Sequence, residues 1–260
     1  MHLSDIFLCL TAAAAGMVNS IAGGGTLLTF PALYAALGPL EDAGVMANGT
    51  STVALWPGAV ASLWAYRREL GQGQPWMRWL LIPSLLGGLA GVLLVTELPP
   101  ELFDALVPWL ILSAALLFAL QPQIGRWTGI GLPHERPSSA RMAGILMFQL
   151  VVAIYGGYFG AGIGILMLAE LALLGLSDIH VMNAWKSLFG GSVNAVAAFV
   201  FIVERKVDWR LALPMLVSSS IGGYFGAWAA RRTNPTLVRR LIVTIGFCLA
   251  AYYFWKRFAR

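Results

Sequence analysis

Apolar residues run in eight long blocks, at about 3–22, 44–66, 76–95, 101–120, 141–160, 181–203, 210–229 and 236–256. A helix needs about 20 apolar residues to cross a bilayer, and in lipid only helices or closed barrels satisfy their own backbone. Two further blocks, Thr26–Leu37 and Ile165–Leu174, are too short to cross. Each follows a glycine-rich turn, Gly23-Gly24-Gly25 in one case and Gly160-Ala161-Gly162-Ile163-Gly164 in the other. The pattern predicts an all-α polytopic membrane bundle of about eight transmembrane helices plus two short half-membrane segments. The longest polar connection, about 122–140, carries Pro122, Pro133 and Pro137. It divides the chain into a first transmembrane repeat over 1–121, a connecting loop over 122–140 and a second repeat over 141–260.

The two parts match at a fixed offset. Asn48 and Asn183, the pairs Gly87/Gly91 and Gly222/Gly226, and Pro100 and Pro235 all lie 135 positions apart, and the glycine turns lie 137 apart. Duplicated halves with interrupted segments at matching places point to a transporter site near the midplane. Two arrangements fit. If all eight long blocks cross, each half has four spans, the repeats are parallel, and the loop cations divide twelve to four, with both termini cytoplasmic. If the first block of each half and its short partner form a hairpin that dips in and returns, each half crosses three times. The repeats are then inverted and the division is ten to six.

Composition sharpens this picture. The chain is 58% hydrophobic and 11% charged, against about 25% charged in soluble domains, and its mean hydropathy is +0.75. The net charge of +5 reads as loop charge that sets orientation, with no nucleic acid implied. Cys9 and Cys248 both lie in apolar blocks and form no disulfide or metal framework. The first block lacks a cationic leader and reads as a first span. His2, His134 and His180 are scattered, and no Walker loop, zinc motif or nucleophile elbow occurs. The expectation is therefore a non-enzyme, with no cofactor and no metal.

One residue stands apart. Of seventeen Lys and Arg, only Lys186 sits inside an apolar block. A buried intramembrane charge is expensive, about 2.5–3.5 kcal/mol on insertion scales, and it faces a protein interior or a wet cavity. Ser51 is its match in the first half. Asn48-Gly49-Thr50-Ser51 and Asn183-Ala184-Trp185-Lys186 each open a block, and Asn183 is placed to cap its helix. One half thus offers hydroxyls and the other a cation. Gly24, Gly25 and Gly162 lie in turns that open helices, where backbone N–H groups and the helix dipole favour anions. At 3.6 residues per turn Asn194 shares a face with Lys186, Ser187 and the Gly190-Gly191 pair. Asn19, Ser20, Thr26, Tyr155 and Tyr158 flank the turns as weaker candidates, and Trp185 is placed to wall a pocket. Glu170 is the one acid well inside an apolar block. It has three readings: a pair with Lys186, a route to the surface, or a proton-coupling group.

Five stretches together resemble the sulfite exporter TauE/SafE family: Ile21 to Pro31, Ala47 to Ser51, Asn183 to Ser187, Val207 to Pro214 and Gly222 to Ala227. The resemblance runs from about residue 10 to 256. It implies a multi-pass bacterial inner-membrane exporter of small sulfur-containing anions such as sulfite or organosulfonates. It also implies substrate contacts at Asn48, Ser51, Asn183 and Lys186. Ala161 and Ile163 interrupt what is commonly a denser glycine run. The resulting expectation is a secondary transporter working by alternating access. Lys186 supplies charge, while Asn48, Thr50, Ser51, Asn183 and Asn194 supply hydrogen bonds. A passive anion channel, or a carrier of another small organic anion, is the alternative. The partners expected are the anion, the lipid bilayer and a second copy of the chain, for which the Gly-x-x-x-Gly faces leave room.

Overall fold

The structure, a computed structural model, describes residues 3–21, 23–128, 138–176, 178–229 and 235–258. They form eleven helices and no strand: α1 (Leu3–Ile21), α2 (Thr26–Leu37), α3 (Ala43–Ala65), α4 (Arg67–Leu70), α5 (Leu81–Glu97), α6 (Pro100–Thr128), α7 (Ser139–Tyr158), α8 (Ile163–Leu173), α9 (Ile179–Val203), α10 (Trp209–Ala229) and α11 (Pro235–Phe258). A 3-10 turn over Pro75–Leu80 leads into α5. Among the described residues, Pro75–Glu97, Pro100–Leu120 and Ile179–Val203 are helical, long and apolar enough to cross a membrane. This is an all-α membrane bundle. The polar connection is shorter than its composition suggests, because α6 continues to Thr128 and α7 begins at Ser139. Pro133 and Pro137 lie outside the described residues.

Each half begins with a helix that stops inside the bundle. The chain turns at Gly23 (φ +75°) after α1, and at Gly160 and Gly162 (both φ +78°) after α7. Left-handed backbone of this kind is strained for any residue with a Cβ. From each turn a short helix runs back toward the side from which the first one came. Direct contacts fix the directions. Gly222 and Gly226 of α10 pack on the backbone of Ala13 and Met17, so α1 and α10 are parallel. Gly87 and Gly91 of α5 pack on Leu150, Ala153, Ile154 and Tyr158, so α5 and α7 are parallel. These glycine pairs are thus buried between helices of one chain, and they are not the surface for a second copy.

The long central helices run antiparallel. Asp42, just before α3, forms an ion pair of 2.8 Å with Lys206, just after α9. At the other end Tyr66, just after α3, stacks on His180 at the start of α9. One face of the bundle (face I) therefore holds the start of α3, the end of α9 and the open end of the α1–α2 hairpin. Tyr34 near the end of α2 packs there against Tyr253 near the end of α11. The opposite face (face II) holds the end of α3, the start of α9 and the open end of α7–α8. This geometry selects the hairpin arrangement of the two that the sequence left open.

The packing is also reciprocal. A loop after α4 lays Gly73 against the Trp185 indole of α9. At the matching place in the other half, the loop after α9 lays the Lys206 carbonyl on Gly49, and the Asp208 N–H donates to Thr50 Oγ1 at 3.0 Å. One contact breaks the symmetry. Gly58 of α3 meets Ser219 and Gly223 of α10 backbone to backbone, whereas the matching residue of α9 is Val193, which lies against Gly88 of α5. The valine side chain keeps α9 and α5 further apart than a pair of glycines would.

Candidate functional site

The two glycine turns meet inside the bundle. A Cβ on Gly23 would lie 2.5 Å from the Gly164 Cα, so only glycine allows the tips to touch. Beside this contact is a cavity of about 40 Å³, lined by Asn19 and Gly23 from the first turn and Gly164 and Met167 from the second. Ile163 at the start of α8, Ala59 and Ser62 of α3 and Lys186, Ser187, Gly190, Gly191 and Asn194 of α9 complete its wall. On that measure one water needs about 10–15 Å³, so the space holds about three water molecules. The α9 face inferred from helical spacing is thus one wall of the cavity. Ser62 and Ala59 were missed, because their sequence says nothing about which helix α3 faces.

Lys186 is 3% exposed and does not reach the surface. Its ammonium donates to the carbonyls of Asn19 (3.1 Å) and Ser20 (3.0 Å) and to Asn183 Oδ1 (2.8 Å). The last carbonyls of α1 are orphaned by the helix end and sit at its negative pole. A cation fixed there satisfies them and keeps its charge at the cavity wall. Asn48 plays the reciprocal part, donating from Nδ2 to the Tyr158 carbonyl at the end of α7 (2.9 Å). Each half therefore closes the broken helix of the other. Asn48 lies within α3, which already begins at Ala43, and its buried Oδ1 has no partner among the described residues.

The other residues singled out from the sequence serve this frame. Asn183 is not the helix cap, because Asp178 accepts from the N–H groups of His180 and Val181 and leaves Asn183 free to hold Lys186. Ser51 shares a 2.6 Å hydrogen bond with Thr29 of α2. Thr50 anchors the loop after α9, as described above. Gly24 packs under the Phe118 ring, Gly25 donates its N–H to Asn19 Oδ1 (2.8 Å), and Gly162 lies against Ala114. Ser20 donates to the Gly223 carbonyl at 2.6 Å, and Tyr155 to the Ala161 carbonyl at 2.6 Å. Asn48, Thr50, Ser51, Asn183, Gly24, Gly25 and Gly162 are absent from the cavity wall, because each is held by a neighbouring helix or turn. Ser62 and Ser187 Oγ stand 3.3 Å apart across the wall. Trp185 is buried beneath Gly73 and does not line the cavity.

Glu170 is 2% exposed, and neither carboxylate oxygen has a hydrogen-bond partner among the described residues. It does not pair with Lys186, whose three donors are directed elsewhere, and it does not reach the surface.

The comparisons agree with this architecture. Residues 8–253 match the family described as "Sulfite exporter TauE/SafE". A probable membrane transporter protein of Haemophilus influenzae is 28% identical over 91% of this chain and 89% of its own length. The probable membrane transporter protein YfcA of Escherichia coli K12 is 29% identical over 94% of this chain and 87% of its own. A Sinorhizobium relative, also named a probable membrane transporter protein, is 29% identical over 94% and 90%. With the family match spanning nearly every helix of the bundle, the chain belongs to the sulfite exporter TauE/SafE family and is a membrane transporter protein by kinship as well as by architecture.

Proposed function

We propose that the protein exports a small sulfur-containing anion, sulfite or an organosulfonate, across the bacterial inner membrane by alternating access around the cavity beside Lys186. The observation that carries this reading is the contact of two inverted hairpin tips, Gly23 on Gly164, next to a small cavity bordered by a buried cation. Discontinuous helices meeting at the interface of two inverted repeats are how many secondary transporters build a substrate site. The repeats are the segments 1–121 and 141–260, rocking about the α3–α9 pair. The Lys186 charge attracts the anion, and the wall residues Asn19, Ser62, Ser187 and Asn194 offer hydrogen bonds. Backbone N–H groups at the start of α8 point the positive end of its dipole at the same space. Asn48, Asn183, Thr50 and Ser51 hold the hairpins in register around it.

Ten of the loop cations belong to face II in the hairpin arrangement and six to face I, so face II is cytoplasmic. A negative interior drives an anion outward with about 2.3 kcal/mol per charge per 100 mV. A passive channel through the same residues is the second reading, and counterflow separates the two. Proteoliposomes loaded with unlabelled sulfite are expected to take up radiolabelled sulfite transiently and saturably. A conductance that rises linearly with sulfite and shows no counterflow would favour the channel.

A further inference from the structure

We infer that Glu170 is the proton-binding site of the transporter, carried as a neutral acid in this conformation and ionised when the α7–α8 hairpin opens to face II; this inference rests on the transport reading above. Glu170 sits in the middle of the short returning helix α8. At helical spacing it shares a face with Met167, which lines the cavity, and with Leu166 and Leu174, which pack on the same cluster. Met167 and Leu171 belong to an apolar cluster with Leu168, Met182, Trp185 and Phe189. A carboxylate in such a shell, without a counter-ion or a donor, pays a penalty of several kcal/mol, and the group avoids it by taking up a proton. The step is simple: the carboxylate binds one proton and becomes a carboxylic acid, and it releases that proton when water reaches it.

Titratable groups described on the elements around α8 do not supply a counter-ion. On α9 these are His180, stacked on Tyr66, and Lys186, whose three donors hold Asn19, Ser20 and Asn183. On α7 they are Tyr155, bonded to the Ala161 carbonyl, Tyr158, and Arg141, whose side chain lies outside the described residues. The part of α6 from Ala114, which touches Gly162, to Gln123 carries none, and the Arg126 side chain lies outside the described residues. The same apolar cluster and its rim hold two indole N–H groups without acceptors among the described residues, on Trp76 and Trp185. Water admitted between α8 and α9 would link these donors to an ionised Glu170. The matching residue of α2 is Leu33, so of the two short returning helices only α8, in the hairpin facing the cytoplasm, carries an acid. Proton loading and release therefore belong to one of the two gates, which is what coupling requires.

The test uses the full-length protein and Glu170→Gln. Infrared difference spectra in lipid nanodiscs at neutral pH are expected to show a protonated-carboxyl band in the unaltered protein that Glu170→Gln lacks. In proteoliposomes with an internal pH dye, sulfite movement through the unaltered protein is expected to carry protons. Glu170→Gln is expected to retain at least half of the sulfite counterflow while losing at least nine-tenths of the accompanying proton movement. Identical infrared spectra would overturn the inference, as would proton movement undiminished in the variant. If the unaltered protein shows no sulfite counterflow, the transport reading fails on its own evidence, and the infrared band still decides whether Glu170 is neutral.

Discussion

Lys186→Met is expected to stop transport and to loosen the bundle together. Methionine keeps the length of the stem but removes three donors. The carbonyls of Asn19 and Ser20 then face an apolar side chain at the negative end of α1. Each unsatisfied buried acceptor costs about 1–3 kcal/mol. Removing the ammonium also relieves its own desolvation, so the net loss is expected near 2 kcal/mol rather than the full penalty. Transport is expected to fall at least 100-fold, because the cavity loses its positive charge. Lys186→Arg separates the two effects. It keeps the charge and the capping donors but fills part of the cavity, so it is expected to recover most of the thermal stability and only a small part of the flux. Sulfite flux and melting temperature that both stay unchanged in Lys186→Met would remove the role assigned to this residue.

The second large effect is expected at Gly23. Alanine there must hold φ near +75°, at about 1–2 kcal/mol, and its Cβ would sit 2.5 Å from the Gly164 Cα. A backbone atom cannot rotate away, so the tips must separate. A loss of about 3 kcal/mol is expected, with flux reduced at least tenfold. Gly38→Ala is the control. Gly38 has the same sign of φ (+71°), but nothing lies within 4 Å of its added Cβ. With ψ at −156° its backbone is of a kind that only glycine adopts readily, so it is expected to lose about 1–3 kcal/mol of stability and yet to transport normally. Equal losses of flux at the two positions would mean that the tip contact is not what makes Gly23 special. Sulfite counterflow measures this, and thermal melting of the purified proteins measures the stability lost in each.

The placement of the apolar helices was legible in the sequence, because hydropathy alone fixes long apolar blocks; the four-residue α4 was not, being polar. Lys186 was legible for the same reason, as a lone cation in such a block. The wall formed by Lys186, Ser187, Gly190, Gly191 and Asn194 followed from helical spacing. What failed were statements about partners. Glu170 and Lys186 are each buried, and pairing them is a natural guess, yet Lys186 is held by the end of α1, more than 160 positions away in the chain. Asn183 reads as a cap from its place at the start of a block, but α9 starts four residues earlier and Asp178 does that work. Ser62 lies in an ordinary small-residue stretch, and only the crossing of α3 with α9 turns it toward the cavity. The choice between parallel and inverted halves was out of reach for a related reason. It depends on the pairs Asp42–Lys206 and Tyr66–His180, and no local pattern encodes which loop ends meet.

The asymmetry between halves has a sequence basis as well. The match of Lys186 is Ser51, that of Val193 is Gly58, and that of Met167 is Phe30. In the first half a buried phenylalanine packed on Phe103 and Phe159 occupies the place that the thinner methionine leaves partly open in the second. Among the described residues, the matching place in the first half is thus filled by aromatic side chains.

Binding of sulfite to Gly190→Ala tests that assignment most directly. The added Cβ would meet only the Met167 Sδ, at 3.8 Å, so the variant is expected to fold at least as well, with up to about 1 kcal/mol gained in helix propensity. Its methyl group would project into the space the anion needs. Isothermal titration is expected to show sulfite affinity at least tenfold weaker than in the unaltered protein, with an unchanged or higher melting temperature. Equal affinity in the two proteins would place the substrate elsewhere and contradict this account.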